Sequence, residues 1–358
     1  MEGKQFRNVL ICAAVAAFAL GASLTSFSAP APQAAGYHQV AKVVLGGEGG
    51  WDYVYADPDT HHIYISRGTH VMVTDSAGKI LGDIPNTAGV HGVALAAEFN
   101  RGYTSNGRGG SVTAFDPKTL ATISEIKIQG QNPDAIIYDP ASKRIFTMNG
   151  GSKDATAIDA KSGEIVGTVA LGGRPETPSP DGVGHVFVNL EDKNSILEFD
   201  SKTLQVMNTW PIAGCEGPSG QAIDIARKHL IIGCDKVMVF MDYTNGKVVG
   251  SVPIADGVDA DGFDPSLGYA FASTGSADGA ITVAKADANG NYSVVENIKT
   301  LPRARTMAVD TSNHNLITVT ADFTPAPAPP AGTPPPPAGR GPRMQMVPGS
   351  FTLLIYGR

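Results

Sequence analysis

The stretch NPDAIIYDPASKRIFTMNGGSKDATAIDAKSGEIVGTVALGG, Asn132 to Gly173, decides how the rest of this chain is read. An apolar strand runs into an Asp-Pro turn. A second strand ends in Asn149, a third ends in Asp159, and a Gly-marked turn leads to a fourth strand that ends in Gly-Gly. Short apolar runs bounded by Asp, Asn, Gly and Pro are the pattern of antiparallel strands joined by tight turns. Six further units align on this one, beginning at Gly50, Gly89, Arg174, Gly217, Gly257 and Arg303. Seven four-stranded units spaced about 40 residues apart predict an all-β, seven-bladed β-propeller.

The register can be checked at the turns. The residue that closes the first strand of each unit is Asp57, Ala96, Asp139, Asp181, Asp224, Asp264 and Asp310, with Ala96 the exception. Third strands end at Asp75, Asp116, Asp159, Asp200, Asp242 and Asp287. An Asp side chain at such a place bonds the backbone N–H groups of its own turn, so these acids are read as structural. The segment YHQVAKVVLGG, Tyr37 to Gly47, matches a fourth strand but has no first three strands before it. The last unit lacks a fourth strand and stops after SFTLLIYG, Ser350 to Gly357. The N-terminal strand is therefore expected to complete the seventh blade, which protects both edges. An open solenoid of the same units would leave that strand an orphan.

Composition sets outer limits. The chain has 358 residues with 42 Gly and 25 Pro, and a formal charge of -7. An acidic balance argues against nucleic acid, whose phosphates need a Lys/Arg footprint. Residues 1–30 read as a secretory signal: Lys4 and Arg7, an apolar run from Val9 to Leu24, then small residues with cleavage expected after Ser28 or Ala31. The apolar run is short for a spanning helix, so no membrane span is expected in the mature chain, and a periplasmic or secreted monomer is the expectation. Residues 36–358 then form one propeller domain. Cys12 leaves with the signal, and the remaining pair Cys215 and Cys234 is expected to form a disulfide. A Pro-rich insert, Thr324 to Ser350, interrupts the seventh blade between its second and third strands. Its Pro content argues against sheet pairing, and Arg340, Arg343, Met344 and Met346 are expected to hover over the channel mouth.

The units resemble the YVTN-type β-propeller repeat, and residues 36–358 resemble YncE-like exported bacterial proteins. The resemblance rests on GGEGGWDY, GTHV, GVHGVAL, NPDAI, DKNSILEFD, CEGPSGQAID, GVDA, RARTMAVD and the ending PGSFTLLIYGR. It implies a seven-bladed propeller outside the cytoplasm and no particular reaction. Arg67 departs from the pattern, which places a histidine there, so the role of that position is in doubt.

The residue five before each turn position opens the innermost strand and faces the channel mouth. The seven residues are Asp52, His91, Asp134, Glu176, Ser219, Asp259 and Arg305. Convergent carboxylates are costly unless protonated, paired or bridged by a cation. Arg305 neutralises one of them, and the rest call for a divalent ion or a cationic ligand. Asn106, Asn149 and Asn189, at the ends of second strands, are expected to add amide groups at the same mouth. This donor mixture suits Ca²⁺, Mg²⁺, Mn²⁺ or Zn²⁺, with Asp134, Glu176 and Asp259 as the expected ligands. The primary expectation is a propeller that binds a small molecule, peptide or cell-wall fragment at the ring. The alternative is a metal-dependent hydrolase or lyase of lactonase type, with Glu176 as base and His91 moving a proton. His61, His62, His229 and His314 are expected to be solvated on the opposite face, while His70 is within reach of the mouth. The chain shows no ordered Ser-His-Asp set, phosphate loop or CxxC pattern.

Overall fold

A computed structural model describes residues 36–276, 279–326 and 344–358. The expected leader and residues 327–343, with Arg340 and Arg343, lie outside the described residues. The fold is a seven-bladed β-propeller built from seven four-stranded antiparallel sheets. Blades 1 to 6 each use four consecutive strands. Blade 7 takes Met307–Asp310, Asn315–Thr320 and Thr352–Gly357, and its outer strand is the N-terminal His38–Val44. That strand pairs antiparallel with Thr352–Gly357, as expected from the orphan fourth-strand pattern. The first strands of successive blades touch one another in turn, and the first strand of blade 7 touches that of blade 1, which closes the ring.

Burial explains why the strands read as they do. Second and third strands are covered on both faces by adjacent blades. Val71–Thr74, Ser111–Phe115 and Tyr269–Thr274 are accordingly buried at every position. Outer strands face solvent and carry exposed Val, Ile and Leu side chains, as at Val44, Leu81 and Val166. The core is divided among the blade interfaces. One cluster joins Phe146 and Met148 of blade 3 to Val186, Val188 and Phe199 of blade 4. Another joins Val54, Ile63 and Ile65 of blade 1 to Ile317, Val319, Phe351 and Leu353 of blade 7.

The turn aspartates do what their spacing implied. Asp139 accepts from the N–H groups of Ala141 and Ser142, Asp181 from Val183, Gly184 and His185, and Asp264 from Ser266 and Leu267. Asp116, Asp159 and Asp200 close the third-strand turns in the same way. At the exception, Ala96, the chain makes a 3-10 turn, Ala97–Phe99, ending in Asn100 at φ 51°, whose amide donates to Asp116.

Three expectations change. His61, His229 and His314 are not merely solvated. His61 Nδ1 lies 3.0 Å from Asp310 and His314 Nδ1 lies 2.7 Å from Asp264, each across a blade boundary. His229 Nδ1 lies 2.6 Å from the Tyr292 hydroxyl of blade 6. His62 is partly buried, and its Nδ1 has no partner. The insert is not unpaired throughout: its flanks Phe323–Pro325 and Met344–Met346 form a two-stranded ribbon, because Phe323 packs on Trp51 and anchors it. Arg67, in doubt from the sequence, is fully buried. Its guanidinium donates to the carbonyls of Gly46, Glu48 and Gly49 and lies 3.6 Å from the centre of the Phe351 ring. It pins the loop that carries the chain from the closing strand into blade 1.

Cys215 and Cys234 form a disulfide with Cα atoms 5.3 Å apart, joining the loop before blade 5 to the end of its second strand. It is buried at both ends. Replacing both by Ser is expected to lower stability by roughly 3 kcal/mol, the loop-closure entropy of a cross-link of this span. Guanidinium unfolding of the oxidised protein and the double variant measures this. Equal midpoints would show that the cross-link contributes nothing.

Candidate functional site

Four of the seven ring residues owe their aim to β-bulges. In four first strands the ladder with the second strand slips at the ring position. The slips fall between Val90 and Val93, Pro133 and Ile136, Pro175 and Pro178, and Val258 and Ala260. His91, Asp134, Glu176 and Asp259 sit inside them. A bulge frees a residue from the pleat and re-aims its side chain. Buried hydroxyls of the second strands hold the mouth segments from behind, at bulged and unbulged positions alike. Ser66 Oγ accepts from the Asp52 amide at 3.0 Å, and Ser105 Oγ accepts from the Gly92 amide at 3.0 Å and donates to the Asp134 carbonyl. Ser273 donates to the Arg305 carbonyl.

Six of the seven expected ring residues line one cavity of about 290 Å³: Asp52, Asp134, Glu176, Ser219, Asp259 and Arg305. The seventh, His91, lines the adjoining cavity, which shares Asp52. His91 Nδ1 lies 2.6 Å from Asp52 Oδ2 and 3.5 Å from Asp134 Oδ1. Gly107 backs the ring so closely that a Cβ there would lie 2.6 Å from His91 Nε2. Arg305 pairs with Asp259, and Arg174 with Glu191.

The carboxyl groups are crowded and poorly hydrated. Burial pushes Asp134 up to about 6; His91 offsets part of this, and the charges of Asp52 and Asp259 add to it. Burial and the neighbouring Asp134 push Glu176 up to about 7, against the nearby Arg174. Burial lifts Asp259 to about 6 even with Arg305 beside it. Burial alone would lower the His91 imidazole, but the Asp52 hydrogen bond and the surrounding acids together raise it.

Among the described residues, the group with metal-ligand spacing is Asp52, His91 and Asp134, whose donor atoms lie within 4.8 Å of one another. This differs from the expected set, sharing only Asp134. Asp259 is drawn off by Arg305, and Glu176 stands across the cavity with Arg174 at 3.9 Å. The three asparagines do not reach the mouth. Asn106 and Asn149 are buried inside their blades and bond Thr104 and Thr113, and Thr147 and Thr156. Asn189 reaches into the next blade and donates to the carbonyls of Ser219 and Gly220, which positions the ring serine. An amide at a strand end can latch neighbouring chain as readily as bind a ligand, and here the close packing of the blades decides for the latch. His70 lies beside Asp83 at 3.9 Å.

Sequence reasoning missed Tyr53, Arg174 and Glu191 in the cavity wall. Arg174 and Glu191 had a signal, since each flanks a strand end of the repeat. Asp261 was also missed. It stands three residues before Asp264, where the other blades carry Val54, Val93, Ile136, Pro178, Gln221 and Met307, none of them ionisable. Both of its carboxyl oxygens are buried without a hydrogen-bond partner, and burial raises its pKa well above the carboxylate range. Gly220 and Gly233 make room for it: a Cβ on either would lie 2.7 or 2.4 Å from Asp261 Oδ2.

No family model matches the chain, and no curated protein matches it. Among solved structures it is similar to a chain of the Kuenenia stuttgartiensis hydrazine synthase, with TM-score 0.66 and 18% identity over 79% of this chain and 96% of that one. It is also similar to a chain in the crystal structure of the mitotic checkpoint complex, with TM-score 0.69 and 13% identity over 86% of this chain and 95% of that one. At these identities the likeness is one of fold alone.

Proposed function

We propose that this is an exported, YncE-like propeller that binds a small cationic ligand or a divalent metal ion in the acidic well at its channel mouth. The carrying observation is the charge imbalance in the wall of the 290 Å³ cavity. Asp52, Asp134, Glu176, Glu191 and Asp259 face only Arg174 and Arg305 there. Burial and mutual repulsion outweigh the cations beside them and lift Asp134 and Asp259 to about 6 and Glu176 to about 7. Asp52, His91 and Asp134 would hold a metal ion, and a mixed nitrogen and oxygen donor set favours Mn²⁺ or Zn²⁺ over Ca²⁺. The leader pattern and the disulfide support an exported location.

Protons compete for the same carboxylates, so binding is pH-dependent. Asp134, Asp259 and Glu176 ionise as pH rises through 6 and 7. Calorimetric titration with Mn²⁺ is expected to show one saturable site, about tenfold or more tighter at pH 8 than at pH 5.5. His91→Ala is expected to weaken it about tenfold or more at pH 8. Absence of binding by Mn²⁺, Zn²⁺ and Ca²⁺ at either pH would exclude the metal form of the proposal.

A second reading, a metal-dependent hydrolase or lyase, is favoured by Glu176. A carboxyl titrating near 7 within a polar well is matched to proton transfer at neutral pH. A bound ion would polarise a substrate carbonyl. Glu176 would take the proton from the attacking water and pass it on to the leaving group, while His91 and Asp52 would help hold the ion.

A further inference from the structure

A second cavity opens beside the acidic well, of about 650 Å³, lined by Gly50, Trp51, Pro302, Arg303, Arg305 and Phe323 among others. It differs from the well in chemistry. Its floor is aromatic: Trp51 packs on Phe323 at 6.0 Å and on Phe351 at 5.4 Å between ring centres. Arg303 lays its guanidinium 4.3 Å from the centre of the Phe323 ring. The arginine is exposed, and among the described residues no carboxylate pairs with it. Its backbone takes φ 64°, a costly conformation for a side chain of this size. A strained guanidinium stacked over an apolar floor, with no carboxylate on it among the described residues, presents a fork of donors to an anion while its face stays desolvated. Arg305 lines this cavity as well as the well, so the two adjoin at that side chain.

We propose that the mouth takes an amphoteric ligand. Its carboxylate lies on Arg303, its apolar body on the Trp51–Phe323 floor, and its cationic end in the acidic well. The last part rests on the proposed function; the anion subsite stands on its own residues. Arg305 is committed to Asp259, which leaves Arg303 as the guanidinium that receives the anion. A ligand of either charge alone would occupy only one of the two adjoining cavities. The chemistry fits a short peptide or amino-acid derivative with an aromatic C-terminal residue.

Trp51 supplies the readout, since the chain has only 2 tryptophans and the other, Trp210, lies on the outer strand Val206–Pro211. In a Trp210→Phe background, 3-phenylpropanoate is expected to change Trp51 fluorescence saturably, while phenethylamine does not. Arg303→Asn keeps a residue that tolerates positive φ and is expected to weaken 3-phenylpropanoate about tenfold or more. Arg303→Lys is expected to fall between. The dipeptide Lys-Phe is expected to bind about tenfold tighter than 3-phenylpropanoate, and Glu176→Gln to remove that advantage while leaving 3-phenylpropanoate unchanged. Unchanged binding in Arg303→Asn, or an equal response to phenethylamine, overturns the anion subsite. If Lys-Phe has no advantage although Mn²⁺ binds the well, the spanning ligand is overturned and the proposed function stands. If Mn²⁺ does not bind but the Arg303-dependent response persists, the metal form of that function fails and the anion subsite stands.

Discussion

Arg67→Met is expected to destabilise the propeller by roughly 3–5 kcal/mol, far more than any change at the mouth. The guanidinium is fully buried, and among the described residues no acid pairs with it. It donates instead to the carbonyls of Gly46, Glu48 and Gly49 at 3.0 to 3.1 Å and stacks on Phe351. Burial pulls its pKa down to about 10, which leaves it charged at neutral pH. Methionine would fill part of the space but leave the three carbonyls without this donor and a polar gap at a buried site. Arg67→Lys would recover only part of the loss, because a single ammonium cannot reproduce the planar fork. The damage should be local at first. The three carbonyls belong to the loop between the closing strand His38–Val44 and blade 1, so that strand should fray before the rest unfolds. Hydrogen exchange should rise across Gln39 to Gly47 in the Met variant at denaturant concentrations where blades 3 to 5 stay protected. A loss of under about 1 kcal/mol, a typical surface value, would mean that the ring closes without this pin.

Asp261→Asn is expected to stabilise the protein at neutral pH and to leave it nearly unchanged at pH 4. The carboxyl is enclosed by Gly220 and Gly233 with no partner for either oxygen, and the nearby Gly233 amide offsets little of the upward shift. The folded protein therefore holds it protonated where the unfolded chain, with an ordinary carboxyl near 3.9, has lost the proton. Folding takes up a proton across that interval. Stability then falls as pH rises, by about 1.4 kcal/mol per pH unit between the unfolded and folded values. Asparagine has nearly the same shape and nothing to titrate, so its advantage should widen from pH 4 to pH 7. Denaturant midpoints at pH 4, 5.5 and 7 measure this. A constant difference across the three would show that the carboxyl is not titrating on folding.

The opposite linkage holds at the turns. Asp264 and Asp310 lie below the usual carboxylate range. Burial alone would raise them, but the facing histidines, turn hydroxyls and amides hold them down. Their contribution is present above the unfolded value and is lost as pH falls through the folded one.

The blade count, the turns, the closing strand and the identities of the mouth residues could all be read from spacing. Each depends on local chemistry repeated along the chain: an Asp that closes its own turn, or a strand period that repeats every blade. Asp52, His91, Asp134, Glu176, Ser219, Asp259 and Arg305 could be placed at one opening because a repeat maps equivalent positions to equivalent places. What the side chains do there was settled by contacts between blades, which no local pattern encodes. The bulges turn His91, Asp134, Glu176 and Asp259 inward, and they arise from how each first strand slips on its second. Asn106, Asn149 and Asn189 looked like ligand donors at strand ends, yet close packing spends the first two amides on threonines of their own blades and the third on the backbone of the next. Arg67 and Asp261 are charged types whose burial follows from remote segments, residues 46–49 and Phe351 for one and the glycines of blade 5 for the other. Only the closed ring brings those segments together, and with them come the desolvation that shifts the acids and the sharing of Arg305 between two cavities.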